Sequence, residues 1–293
     1  MKYTIKEFRA EYSSDDVCLD KLFSLRYEAM PCCPQCQQAT TFKRVTGRRC
    51  YQCSDKDCQY QLYPTAGTVF EKTRTSLVDW FYAIYLMTST RNGVSAKELE
   101  RQLGVTYKCA HRMGHQIRKL MASGQGLMTG VIEADECYIG NNPKNIHRKK
   151  LLPRDGYKSK DFAPVIAMVE RTTGEVRCVA PEAVNGASLY DAITSNVQRG
   201  ERLITDAHNG YNWVGRQYKH TLVKHVAGFI TEGEKHTNSV EGFFSHLKRT
   251  IKGTHIAVSR QHLQKYANEV AFRYSHRHEG QMMFHTILSR VVI

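Results

Sequence analysis

Asp135 closes the apolar run Val-Ile-Glu-Ala-Asp, and Asp206 closes Arg-Leu-Ile-Thr-Asp. Glu241 lies in Thr-Asn-Ser-Val-Glu-Gly-Phe-Phe-Ser-His-Leu-Lys-Arg, a stretch with helical patterning. Two aspartates at strand ends and one helix glutamate have the types and placement to share a pair of divalent cations. Such a pair clamps the attacking and leaving oxygens of an in-line phosphoryl displacement. Hard carboxylate oxygens suit Mg²⁺, or Mn²⁺ in its place.

Counting along the helix tests its placement. Val240, Phe243, Phe244, Leu247 and Ile251 recur at i, i+3, i+4, i+7 and i+11, which predicts a buried stripe. Asn238, Glu241 and Lys248 then fall along one side, one turn before and two turns after the glutamate. Lys248 would hold a substrate phosphate there; a solvated helix face with one acid and one base is the plainer reading. Glu133 and Glu136 flank Asp135 and compete for its role. Glu133 shares its strand face by the period of two, and Glu136 points away.

Six of the ten cysteines fall between Cys32 and Cys58. Cys33-Pro-Gln-Cys36 is a C-x2-C knuckle, and Cys53 with Cys58 supplies a second pair after a short basic hairpin. Four thiolates in two pairs make the closed tetrahedral site of a structural zinc ribbon. Cys50-Tyr-Gln-Cys53 also has C-x2-C spacing, so the second pair stays open, with Cys32 and Cys50 as the spares. A β unit this small buries too little apolar surface to fold alone, and Zn²⁺ would supply the missing free energy.

The elements that must position these residues can be read in turn. Leu77, Trp80, Phe81, Ile84 and Tyr85 recur at helical spacing. Ser95 with Glu98 predicts a capping box opening a helix that turns Leu99 and Leu103 inward and stops at Gly104. A second helix from Thr106 carries Lys108, His111, Arg112, His115, Arg118 and Lys119. Helix, glycine turn and basic helix match a helix-turn-helix, although a plain hairpin with a solvated basic face has the same pattern. After residue 126 strands dominate: Val131–Tyr138, Ala163–Glu170 and Glu175–Ala180 are followed by a helix over Ala187–Gln198. Strands over Arg202–Asp206 and Thr221–Val226 then lead to a helix over Thr237–Lys252. Three hairpin-linked strands followed by alternating helix and strand predict a ribonuclease-H-like α/β layer, which sets the first and fourth strands side by side.

Lys and Arg number 42 against 28 Asp and Glu in 293 residues, a net charge of +14. A surplus of that size predicts a polyanionic partner, because each phosphate contact releases counterions. Seven of these cations lie between Lys144 and Lys160, where they would grip a flanking duplex or form a solvated loop. The longest apolar stretch, Trp80 to Met87, is far short of the ~20 residues that span a bilayer. The N-terminus lacks a signal-peptide core. A cytoplasmic protein without a membrane partner is expected, its cysteines reduced.

The chain resembles the zinc-ribbon DDE transposases of bacterial insertion sequences. The resemblance rests on Cys-Pro-Gln-Cys with Tyr63-Pro-Thr-Ala-Gly-Thr-Val-Phe70, and on Glu133-Ala-Asp-Glu-Cys-Tyr-Ile-Gly140. It also rests on Thr205-Asp-Ala-His-Asn-Gly-Tyr211, on the stretch from His236 to Arg249, and on the closing helix from His262 to Arg273. It implies that Asp135, Asp206 and Glu241 are the metal ligands, with Lys248 as the motif lysine. Asn238 is a further contributor, since some members carry Asn in place of the third acid. Thirty-five residues separate Asp206 from Glu241, a spacing that fits such enzymes. The C-x4-C second pair and Asn141-Asn142 after Gly140 depart from the family pattern. The resemblance implies nicking of double-stranded DNA at the element's terminal repeats, then attack of the freed 3′-hydroxyl on target DNA, by a homodimer or larger synaptic assembly. A DNA-binding regulator with an inactive core and a metal-dependent nuclease are the alternatives. The implied layout is a helical lead over 1–30, a zinc ribbon over 31–70 and a helix-turn-helix region over 71–125. A catalytic domain over 126–255 and a helical tail over 256–293 complete it.

Overall fold

The structure, a computed structural model, describes residues 3–122, 124, 126–140, 162–223, 236–279 and 282–292. The basic segment from Lys144 to Lys160 and the end of the strand expected to reach Val226 lie outside these residues. The chain divides into two compact units, one of residues 1–120 with 280–293, the other of residues 121–279. No helix among the described residues is long and apolar enough to cross a membrane.

In the first unit, α1 (Ile5–Glu11) opens on a capping box between Thr4 and Glu7, and Ser14 caps α2 (Asp15–Tyr27). A three-stranded antiparallel sheet follows in the order β1 (Phe42–Arg44), β2 (Tyr51–Cys53), β3 (Gln61–Leu62). Phe23 of α2 stacks on Tyr51 of β2 at 4.0 Å between ring centres. The apolar stripe expected from Leu77 onward forms α3 (Leu77–Ser89), with Leu77, Trp80, Phe81 and Ile84 fully buried. Ser95 caps α4 (Ala96–Leu103), accepting the N–H of Glu98, and Gly104 ends it at φ 64°. The Glu98 carboxylate does not complete the box; it meets Gln102 and Arg101 instead.

α5 (Tyr107–Leu120) corrects the expected basic face. Lys108, Arg112 and Lys119 are exposed, but His115 and Arg118 are buried. Arg118 folds back over Gly114, where a Cβ would stand 2.9 Å from its Nη1. The last helix, α10 (Met282–Ser289), packs on α3 and sets Phe284 among the rings of Tyr3, Phe8, Tyr12 and Phe81.

The second unit is a five-stranded mixed sheet in the order β6-β5-β4-β7-β8. β4 (Val131–Gly140), β5 (Phe162–Glu170) and β6 (Val176–Val179) run antiparallel. β7 (Arg202–Asp206) lies parallel to β4, and β8 (Lys219–Val223) parallel to β7. α6 (Gly186–Thr194) is shorter than the helix expected to Gln198. Its last residues turn out to bracket Met128, whose N–H meets Asn196 and whose carbonyl accepts from Gln198.

The period of two along β4 divides the core. Ile132 and Ala134 pack with Leu189, Leu203 and Tyr211, from α6, β7 and the short α7 (Tyr211–Val214). Cys137 and Ile139 pack on the other face with α8 (Asn238–Thr250) and α9 (Arg260–Ser275). All five stripe residues of α8, Val240, Phe243, Phe244, Leu247 and Ile251, are buried.

Thr237 offers no side-chain cap to α8. That task passes to Glu133, fully buried on β4, whose Oε2 accepts the N–H groups of Ser239 at 2.8 Å and Val240 at 3.1 Å. Its Oε1 accepts from Ser239 Oγ at 3.0 Å and from Arg171 Nε at 2.5 Å. A carboxylate at a helix N-terminus satisfies orphan donors and complements the dipole. Glu133 therefore fixes where α8 begins relative to β4. Removing one partner of a buried pair leaves the other charge uncompensated. Glu133→Gln is expected to lower stability by about 3–5 kcal/mol in denaturant unfolding, whereas the exposed Glu182→Gln changes it by less than about 0.5 kcal/mol.

Candidate active site and metal cluster

β4 and β7 are in parallel register through Glu133 and Ile204. Asp135 and Asp206 each stand two residues further on, at the same height and on the same face; Asp206 ends β7, but Asp135 lies within β4, opposite Ala167 of β5, and not at a strand end as expected. Glu241 occupies the first turn of α8, which Glu133 holds against β4. Neighbouring backbone restrains both aspartates. Asp135 Oδ1 accepts from the N–H of Glu136 at 2.8 Å, and Asp206 Oδ1 from the N–H of His208 at 3.0 Å. Glu241 accepts from Thr237 Oγ1 at 2.8 Å.

Electrostatics group the three. Burial pushes the Asp135 carboxyl up to about 7, and the charges of Glu136, Asp206 and Glu241 push the same way against the pull of the Glu136 N–H. The acids that flank Asp135 are engaged elsewhere. Glu133 is spent on the helix cap, and Glu136 turns to the opposite face, where Tyr211 donates to it at 2.7 Å. Asn238, Glu241 and Lys248 are all exposed, as helix counting requires. Burial raises the Cys137 thiol to about 12, and the nearby Lys248 charge opposes that shift, so the lysine lies over the strand that bears Asp135.

The carboxylates fit a hard divalent cation by donor chemistry and by the unrelieved charge at Asp135. They are not drawn together: among the described residues, only the cysteine set gathers three or more potential ligand atoms within 4.8 Å of one another. Like charges repel, and a cation is what would offset that.

Two contributors escaped the sequence reading. Thr205 Oγ1 donates to the Asp206 carbonyl at 2.8 Å and meets His220 Nε2 at 2.9 Å. A Cβ on Gly215 would stand 2.1 Å from the His220 ring, so the glycine makes room for it. Only the motif threonine gave any signal of this; His220 comes from another strand. Tyr211 closes the same motif, but its contact with Glu136 gave no signal.

Cys33, Cys36, Cys53 and Cys58 form the cysteine set. Cys33 and Cys58 sulfurs are 3.7 Å apart, and those of Cys36 and Cys53 4.0 Å. Each knuckle turns through a glutamine at positive φ, Gln37 at 58° and Gln59 at 49°. The N–H groups of Gln38 and Tyr60 then aim at the Cys36 and Cys58 sulfurs. Burial alone would raise the Cys33 thiol, but the N–H groups of Cys36 and Gln35 bring it down to about 7, while burial and the neighbouring sulfurs push Cys36 up to about 12 and raise Cys58. Cys50 is left out because the chain from Tyr51 to Cys53 is a strand, not a knuckle. Three extended residues separate Cys50 and Cys53 by about 10 Å. Cys50 is buried instead against Gln61.

Comparison with known proteins follows the same division. The transposase zinc-ribbon domain matches residues 13–61, and the ISXO2-like transposase domain matches residues 127–275, just over half of the chain. An uncharacterized protein in transposable element ISH50 of Halobacterium salinarum is 24% identical over 277 residues, covering 91% of this chain and 93% of its own. Among solved structures, a chain of the simian T-cell lymphotropic virus intasome in complex with PP2A regulatory subunit B56 gamma aligns with TM-score 0.31 and 12% identity. That alignment takes in 61% of this chain and 63% of the other, just under two thirds of its length. The zinc-ribbon match and the four-cysteine cluster together support a structural zinc.

Two outcomes are expected. Cys58→Ser should abolish zinc binding, measured by elemental analysis, and unfold the ribbon, while Cys32→Ser and Cys50→Ser keep the metal. The second concerns Asp135, whose folded pKa lies above its unfolded value near 4. Its stability contribution is present below about pH 4 and lost as pH rises towards 7. In magnesium-free buffer the wild type should therefore fall below Asp135→Asn by roughly 2–4 kcal/mol at pH 8. Thermal melts should show that gap closing as pH falls to 4, and added Mg²⁺ should reduce it at pH 8.

Proposed function

The chain belongs to the ISXO2-like transposase family, and on that premise we propose that it cleaves and joins DNA strands at the ends of an insertion sequence, with Asp135, Asp206 and Glu241 as the ligands of two Mg²⁺ ions. The observation that carries this reading is the placement of three acids on two adjacent parallel strands and one capped helix, where the charges of Asp206 and Glu241 add to the burial that raises Asp135 to about 7. The strand order β6-β5-β4-β7-β8, with three antiparallel strands and two parallel additions, supports a ribonuclease-H-like core.

Bound at these carboxylates, Mg²⁺ would supply the positive charge that stabilises the attacking and leaving oxygens of a phosphodiester in line. The protein's own residues prepare for it. Asp135 must release its proton before it can ligate, and a cation at the site favours that release. Lys248 holds a phosphate oxygen beside the scissile bond, and Asn238 lies one turn before Glu241 on the same helix side. Hydrolysis frees a 3′-hydroxyl; that hydroxyl then attacks a target phosphodiester, its own proton lost and a 3′-oxygen expelled, so no covalent enzyme intermediate forms.

Duplex DNA is the proposed partner of both units. The net charge of +14 favours it. The glycine turn at Gly104, with α5 presenting Lys108, Arg112 and Lys119, supports a helix-turn-helix that reads terminal repeats. Joining two ends requires a homodimer or larger assembly.

The test is a mobility assay in cells, with a marker bracketed by the DNA that flanks the gene and the protein supplied separately. Wild type should move the marker, while Asp206→Asn drops movement to background and still binds the end duplex. Equal movement with both proteins would overturn the catalytic assignment. Binding without movement by either would favour a DNA-binding regulator.

A further inference from the structure

α8 does not end on a cap. It passes into one π-helical turn, Ile251–His255, and the chain then breaks at Ile256 with φ 64° and ψ −55°. The Ala257 N–H closes onto the His255 carbonyl at 2.7 Å, making a three-residue turn centred on Ile256. This is the rarer, strained form of that turn, and a side chain branched at Cβ is among the least suited to it. Glycine would adopt it freely. Ile256 gains no burial in exchange: it is 79% exposed, the most exposed of the large hydrophobic side chains described. A strained backbone that displays an apolar side chain to solvent calls for a use outside the fold.

The surroundings select the occupant. From Gly242 to Asn268 the chain contains no Asp or Glu. Within that stretch Lys248, Arg249, Lys252 and Arg260 are exposed. A second copy of a chain carrying +14 would bring like charge to this shoulder. A lipid surface rewards a broad apolar helix face, whereas here a single side chain projects between cations. One apolar side chain flanked by phosphate-binding cations is the arrangement that parts a base step in duplex DNA.

We propose that Ile256 is a wedge that enters the base stack of bound duplex DNA, with Lys248, Arg249, Lys252 and Arg260 on the flanking phosphates. Fifteen residues at ~1.5 Å each separate Glu241 from Ile256. A duplex following the helix would therefore be opened about seven base pairs from the carboxylate site at Glu241. The wedge rests on the duplex-DNA reading above, not on the strand chemistry.

The experiment uses the full chain and short duplexes of the gene's flanking DNA, with 2-aminopurine placed at successive steps. Wild type should raise the fluorescence at one step, the sign of unstacking. Ile256→Gly and Ile256→Asn, both tolerant of positive φ, should lose that rise, keep the salt dependence of binding, and melt at or above the wild-type temperature. Lys252→Ala and Arg260→Ala should keep the rise and each lower the slope of log affinity against log salt by about 0.9. An undiminished rise in both Ile256 variants would overturn the wedge. So would a lower melting temperature in both, or loss of self-association with the rise intact. A fluorescence rise without strand cleavage would sink the transposase mechanism and leave the wedge standing; cleavage without a rise would do the reverse.

Discussion

Glu133 is fully buried, so its charge is met by protein groups drawn from separate stretches of chain: Arg171 beyond β5, and the first turn of α8. Isolated in that interior the carboxylate would be very costly; met by backbone N–H groups and a guanidinium, it can only sit where those groups converge. The consequence is directional. Two residues further along the same face of β4 comes Asp135, and one residue past the capped Val240 comes Glu241. A single satisfied charge thus sets the strand acid and the helix acid relative to each other. The parallel pairing of β4 with β7 brings in Asp206.

What the residues disclosed on their own depended on whether the relevant contact was local. The stripe of α8 was legible because Val240, Phe243, Phe244, Leu247 and Ile251 repeat at the helical period and all five are buried. The cap at Ser95 and the stop at Gly104 were legible because both act within one turn. Asp206 could be placed at a strand end because apolar residues lead up to it. The cap of α8 could not be read, since its donors and its acceptor lie more than a hundred residues apart. The same holds for His220 against Thr205 and for Tyr211 against Glu136. Arg118 and His115 misled the reading for another reason. Charge predicts exposure only when the stem has nowhere to fold, and Gly114 leaves room for Arg118.

The two metal-suited clusters differ in a way their chemistry explains. The thiols are held close by two knuckles whose own N–H groups point at sulfur. Such a site belongs to the fold, closed on all sides. The carboxylates come from rigid elements that hold them near one another but short of ligand spacing. Burial first, and their mutual repulsion after it, keep the Asp135 carboxyl raised. Positions on adjacent strands and a helix's first turn resist collapse.

Phe284 lies among Tyr3, Phe8, Tyr12 and Phe81, so residues near position 284 complete a core begun by residues near position 3. During synthesis the first unit must wait, its aromatic seam open, while the whole of the second unit emerges from the ribosome. A message interrupted by a premature stop or a frameshift would yield a product with an incomplete first unit, whatever its second unit does. Truncated products of this gene would then lack a finished first unit, because the helix that closes it is made after the second unit.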